Sequence, residues 1–217
     1  MELVLLLFLL GYVIQDAGCV ILLLRILKQR SVDGLSLQSQ VMYGLGTLMR
    51  VIYTFDTRLS NYTIVFVEMM VAVLLHIGIL YGFFKYRYTQ TSDIQSPLIS
   101  WKTIIPVCSV LAYFFHPGEQ YEYLQILVSL SMFIEAVGLL PQIYVNRKQG
   151  RVEYELGKYL IFMVASRIAR LAFWFVMYRM GDQNIELMVA DIVHTVLLAD
   201  FAILFIKNKG KEVILVI

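Results

Sequence analysis

Apolar stretches follow one another along this chain at lengths for which a water-soluble core has no use. A helix needs about 20 consecutive, mostly apolar residues to cross a bilayer. Seven segments approach or exceed that length, at about 3–27, 38–55, 62–84, 98–115, 123–145, 159–178 and 185–206. The second is the weakest, interrupted by glycines and by Arg50. Hydrophobic residues make up 59% of the chain and charged residues only 16%, so the hydrocarbon interior is the solvent to which the fold must answer. In that solvent backbone groups must be satisfied within the segment, which leaves helices for segments of this length. An all-α membrane protein is expected. Residues 1–10 lack a basic leader region, and their apolar run continues past Asp16 without a small-residue cleavage site. They read as the start of a retained first span.

Basic residues then orient the spans. Arg25, Lys28 and Arg30 follow the first span, and Lys85, Arg87 and Lys102 flank the loop between the third and fourth. Arg147, Lys148, Arg151 and Lys158 follow the fifth, and Lys207, Lys209 and Lys211 form the tail. The opposite side carries only Arg58 and Arg179. The positive-inside rule places the tail in the cytoplasm and the N-terminus in a lumenal or extracellular space. There Asn61-Tyr-Thr63 forms a glycosylation sequon close against the third span.

The fifth span changes character along its length. It carries Glu135, meets Pro141-Gln142, and leaves through Asn146-Arg147-Lys148 to Gly150. Proline removes a backbone donor and kinks a helix, and an acid at membrane depth needs a partner. This exit is echoed at the end of the first span, with a glycine nine residues after Arg25 in one and after Pro141 in the other. Spans one and five therefore read as equivalent members of two repeats with the same orientation. Two parallel three-helix bundles joined by a linker helix, PQ-loop/SWEET-like, are the architecture expected. Repeat one spans about 3–84, the linker about 98–115, repeat two about 123–206 and the tail 207–217.

Three arginines lie inside the spans. Tyr43, Thr47, Arg50 and Thr54 share one helical face, as do Arg167, Arg170 and Trp174. The acids available to them are Asp16, Glu68, Glu135, Asp191 and Asp200, with His194 nearby in sequence. Internal pairing of Arg167 with Glu135, Arg170 with Asp191 and Arg50 with Asp16 is one reading. A cavity that takes an anion is the other, because a guanidinium stays charged when buried and grips a carboxylate with two donors. His194 suits either a proton switch or a helix–helix hydrogen bond. Cys19 and Cys108 sit in apolar runs, the three histidines lack metal-ligand spacing, and no nucleophile elbow, zinc-protease or phosphate-loop motif occurs. A binder or carrier in contact with membrane lipid is expected, with no enzyme activity, cofactor, metal or nucleic-acid partner.

The same residues carry a resemblance. Arg30-Ser-Val-Asp-Gly-Leu-Ser-Leu-Gln-Ser-Gln40, Arg50, Glu135-Ala-Val-Gly-Leu-Leu-Pro-Gln142, Tyr159-Leu and Arg167 resemble the KDEL receptors, the ER lumen protein-retaining receptors. The resemblance implies a Golgi and ER membrane receptor that binds the C-terminal tetrapeptide of escaped ER lumenal proteins, more tightly at acid pH. It would return them by retrograde transport. It assigns Arg50 to the cargo's terminal carboxylate, Arg167 to its approach route and Trp174 to the pocket wall, with Arg170 beside them. Glu135, Ser166 and His194 would form or adjoin the proton latch. Lys207, Lys209 and Lys211 resemble a signal for the retrograde vesicle coat. The alternatives are a small-solute carrier of the same fold and an assembly protein whose buried charges join helices.

The chain also departs from the family pattern. Phe8 stands where the family has a pocket arginine, Gln15 in place of a histidine proposed to sense pH, and Tyr53 in place of a pocket aspartate. Gln125 replaces the acid that meets the cargo lysine, Val128 a pocket tryptophan, and Ser166 the latch tyrosine, while Arg170 replaces a tyrosine. The resemblance therefore implies retained carboxylate capture, with altered reading of the upstream cargo residues. Proton linkage is expected on Glu135, Asp16 or His194.

Overall fold

The structure is a computed structural model and describes residues 2–56, 63–90, 99–116, 122–149, 151–181, 185–207 and 213–214. Arg58, Asn61, Gly150, Lys209 and Lys211 lie outside the described residues, as do the side chains of Asp200 and Lys207. The helices are α1 (Glu2–Gln29), α2 (Leu37–Asp56), α3 (Thr63–Tyr86), α4 (Trp101–Phe114), α5 (Glu122–Val137), α6 (Leu140–Gln149), α7 (Tyr154–Arg179) and α8 (Ile185–Lys207). Among the described residues, four segments, Leu3–Gln29, Thr63–Thr89, Glu122–Gln149 and Tyr154–Arg179, are long and apolar enough to cross a membrane. The surface agrees with a multi-pass membrane protein: Leu3, Leu6, Leu10 and Val13 face outward along α1, while Gln15 and Asp16 on the same helix are buried. In water that polarity would be reversed.

α1 lies between two neighbours. Gly11 faces Arg170 and Gly18 faces Phe162, so α1 runs antiparallel to α7. Leu23 faces Gly78 and Ile26 faces Gly82, so it runs parallel to α3. Glycines at such contacts let membrane helices approach closely. α2 runs antiparallel to α5, with Gly46 against Glu135 and Tyr43 against Gly138.

The break in the fifth apolar span falls three residues before the position that the proline suggests. α5 ends at Val137 and α6 starts at Leu140, which places Pro141 in the first turn of a new helix. A missing N–H costs nothing there. The turn is at Gly138, where a Cβ would stand 2.9 Å from the Ile134 carbonyl oxygen and 3.4 Å from the Tyr43 ring. A side chain does not fit between those groups.

Gln142 joins this turn to the segment between α1 and α2. Its Oε1 accepts from the Ser36 N–H at 2.8 Å, and its Nε2 donates to the Gly34 carbonyl at 2.8 Å and to Asn146 Oδ1 at 2.9 Å. Its own N–H donates to Ser39 Oγ at 3.0 Å. Gly34 has φ +73°, a conformation that glycine adopts without strain. Ser36 caps α2 by accepting the Ser39 N–H at 3.3 Å. Arg25 completes this end of the bundle, pairing with Glu153 and donating to the Asp33 carbonyl at 2.8 Å. A two-residue antiparallel ladder, β1 (Arg151–Val152) with β2 (Val213–Ile214), ties the tail to the α6–α7 connection. The apolar periodicity gives no sign of it.

Apolar side chains fill the half of the bundle nearest these connections. Leu22, Ile26, Leu35, Phe83, Leu139 and Leu160 belong to one cluster that seals it. Replacing Gln142 by Ala strands a buried amide N–H at Ser36 and a carbonyl at Gly34. We expect a loss of about 1–3 kcal/mol for each group left unsatisfied, measured as a lowered thermal unfolding midpoint in detergent, with Gln142→Glu only partly restoring it.

Candidate functional site

Beyond the apolar plug the bundle interior becomes charged. Arg167, fully buried on α7, donates through Nη1 to Asp191 Oδ1 at 3.0 Å and through Nη2 to Glu135 Oε2 at 2.9 Å. The same Nη2 reaches Gln15 Oε1 at 3.3 Å. One turn further along α7, Arg170 donates to the same Glu135 oxygen at 2.9 Å and pairs with Asp191 Oδ2 at 3.2 Å. Trp174, a further turn on, donates its indole N–H to Asp191 Oδ2 at 2.7 Å. Two guanidiniums and two carboxylates thus neutralise one another, drawing together α1, α5, α7 and α8. Spacing on one face of α7 places the three donors in a row, and glycines make room for them. A Cβ at Gly46 would stand 2.9 Å from Glu135 Cγ, and one at Gly11 would stand 2.7 Å from Arg170 Cγ.

Arg50 is held differently. The residues that share its face of α2, Tyr43, Thr47 and Thr54, are buried with it. Its Nη2 donates to Glu68 Oε1 at 3.0 Å, and its guanidinium lies over the Tyr12 ring at 3.8 Å from the centroid. Nε and Nη1 are buried without a hydrogen-bond partner. Arg50 is therefore satisfied at one of its three nitrogens, whereas Arg167 lacks a partner only at Nε. The expected pairing of Arg50 with Asp16 is replaced by Arg50 with Glu68. Asp16 is buried and makes no hydrogen bond or ion pair among the described residues. Tyr12 also lies 5.1 Å from Arg170, so one aromatic ring on α1 carries two cations. Cation–π attraction of this kind is strongest where water is excluded.

Two other residues singled out from the sequence make hydrogen bonds of their own beside the cluster. Ser166 turns back on its own helix and donates to the Met163 carbonyl at 2.9 Å. His194 lies 3.0 Å from the Tyr43 hydroxyl, joining α8 to α2. Lys207 is the last residue of α8. A cavity of about 400 Å3 between α4, α5 and α8 is lined by apolar side chains such as Leu111, Phe133 and Val189 and offers an anion nothing. Among the described residues no group of His, Cys, Asp and Glu could hold a metal ion. Tyr12, Gly11 and Gly46 were invisible to reasoning from charge. Only the helix pairings reveal them.

The family model described as ER lumen protein retaining receptor matches residues 31–177. The chain is 28% identical to ER lumen protein-retaining receptor 3 of Xenopus tropicalis over 206 residues, which cover 93% of this chain and 94% of that receptor. It is 30% identical to ER lumen protein-retaining receptor erd-2.2 of Caenorhabditis elegans, covering 89% and 91% of the two chains. It is also 30% identical to ER lumen protein-retaining receptor 2 of Homo sapiens, covering 90% and 92%.

Removing Glu135 leaves Arg167 and Arg170 to share the one carboxylate of Asp191. Breaking a buried pair from one side costs about 3–5 kcal/mol. Glu135→Ala is expected to lower the unfolding midpoint far more than Trp174→Phe, which deletes a single hydrogen bond to the same network, when both are melted in detergent.

Proposed function

This chain belongs to the ER lumen protein-retaining receptor family, and on that premise we propose that Arg50 takes the free C-terminal carboxylate of an ER lumenal protein. One observation carries this reading: Arg50 is buried with two of its three nitrogens unpartnered, while Arg167 and Arg170 already hold two carboxylates between them. A carboxylate can use two donors of one guanidinium in parallel, including the second hydrogen on Nη2. Binding would then satisfy buried donors instead of displacing an existing pair.

The rest of the cycle follows from family membership and the distribution of charge. The receptor binds escaped ER proteins in the Golgi and returns them to the ER. The basic face is cytoplasmic and the Arg50 site opens toward the lumen. Lys207, Lys209 and Lys211 present the retrograde coat signal, and binding is tighter at acid pH. Repeat one (about 3–84) and repeat two (about 123–206) form two three-helix bundles around the linker helix, with the cargo between them. Arg167, Arg170 and Trp174 act as the wall and latch beside Arg50. The apolar cluster on the basic side of the charges supports a site open to one face, which suits a receptor and not a through-going carrier.

Arg50→Ala is expected to lower affinity for a C-terminal tetrapeptide by about a hundredfold, within the range for truncating one partner of a buried charge pair. Arg50→Lys keeps the charge but not the planar fork, and is expected to lose less. Both variants are titrated after their unfolding midpoints show a folded receptor. Unchanged affinity in Arg50→Ala would leave the buried charges as helix glue alone. With Gln125 and Tyr53 in place of acids, the same titration is expected to give similar affinity for Lys and for an uncharged residue at the first tetrapeptide position.

A further inference from the structure

A groove on the outer surface of the bundle has a use of its own, separate from the buried charges. α5 packs against both α4 and α8, and between these two a cavity of about 400 Å3 is left open. Phe133, Ala136 and Val137 of α5 form its floor, with Leu111 of α4 and Val189 of α8 on the walls. Leu111 and Val189 are also exposed on the outside, as are Val107, Val110, Ile192 and Val196 around them. The mouth is therefore ringed by apolar side chains. A cavity of this kind stays dry in water, whereas in a bilayer the surrounding medium is itself apolar and flexible enough to enter.

The two ends of the groove differ. Phe115, Ile185 and Glu186 line it where α4 stops and α8 begins. Tyr113 and Tyr123 are exposed near that end of α4 and α5, and tyrosines so placed mark the boundary between hydrocarbon and water. Cys108 and Val193 line the other end, about two helical turns inward, roughly 11 Å. The groove thus runs from the interface toward the bilayer centre, which is the path of a lipid tail.

We propose that this groove holds one acyl chain of a phospholipid whose headgroup ends in a positive charge, a choline or an ethanolamine, beside Glu186. No lysine or arginine lines the groove. Glu186 makes no ion pair among the described residues. The other acid at this end, Glu122, lies 3.9 Å from His116. A headgroup with net negative charge meets a carboxylate there, and one ending in a quaternary or primary ammonium meets its opposite. A second copy of the chain suits the site less well. Membrane helices associate through small residues, and the rim carries Val107, Val110, Ile192 and Val196. The bound chain also has a structural consequence. Ala136 and Ala190 line the groove and directly follow Glu135 and precede Asp191 in sequence. The lipid tail therefore packs behind the two helices that present acids to Arg167 and Arg170.

The test places the full chain in nanodiscs containing phosphatidylcholine with a diazirine partway along one acyl chain. Illumination and peptide mapping then locate the tail. Wild type is expected to be labelled on the groove floor, from Phe133 to Val137, as well as on the walls. Val189→Trp fills the groove from its rim and is expected to abolish the floor label. Val196→Trp, exposed on the same helix but not lining the groove, is expected to keep it. Phosphatidylglycerol carrying the same chains is expected to label the floor less by about threefold, the scale of one exposed charge pair, and Glu186→Gln to remove that preference. Unfolding midpoints establish that each variant is folded, and the wild-type map with the headgroup comparison decides the question even where a variant is not. A wild-type floor left unlabelled, a floor label that survives Val189→Trp, or equal labelling by the two headgroups overturns the proposal. So does a wild-type dimer that protects the floor, which gives the groove to a second copy.

Discussion

Two guanidiniums placed one turn apart inside hydrocarbon leave little freedom in how the helices around them are arranged. Arg167 and Arg170 share one oxygen of Glu135 and divide the two oxygens of Asp191 between them. Moving α5 or α8 along its axis by a turn would separate four buried charges, at a cost comparable with the whole stability of many proteins. The pairing therefore fixes the relative height of α5, α7 and α8, and Gln15 adds α1 to the same level. The glycines at 11 and 46 follow from it, because α1 and α2 must pass close to Arg170 and Glu135 to enclose them.

Once that cluster is neutral, the chemistry of Arg50 stands apart. It rests on Tyr12 and holds Glu68 by one nitrogen. A buried guanidinium with two unpartnered nitrogens is unfavourable unless something is meant to complete it. The apolar side chains toward the connections of α1–α2 and α6–α7 close the opposite direction. The same physical property, low polarity around a charge, makes Arg50 costly when empty and selective when filled.

Much of this was legible in the sequence, and the physical reasons for the limits are specific. The apolar runs announce the membrane because hydrocarbon thickness sets a length. Helical periodicity brings Arg167, Arg170 and Trp174 to one face, and charge balance then nominates Glu135 and Asp191. Charge balance does not choose the partner of Arg50, because the rotation of α1 and α3 about their axes is set by side-chain packing: Asp16 and Glu68 are equally acidic, and only the packed bundle puts Glu68 on Nη2. Pro141 marks a helix start where proline suggested a kink, since Gly138 beside the Tyr43 ring makes the turn first. The tail ladder is illegible because a two-residue strand has no period to read.

The central claim is that a free carboxylate, and not the peptide as a whole, is what Arg50 recognises. Matched tetrapeptides with a free-acid and an amidated C-terminus test it most directly, titrated into the purified receptor at one acid pH. The account predicts that amidation weakens binding by about a hundredfold, the size of a lost charge-assisted contact to a buried partner. Equal affinity for the two peptides would contradict it.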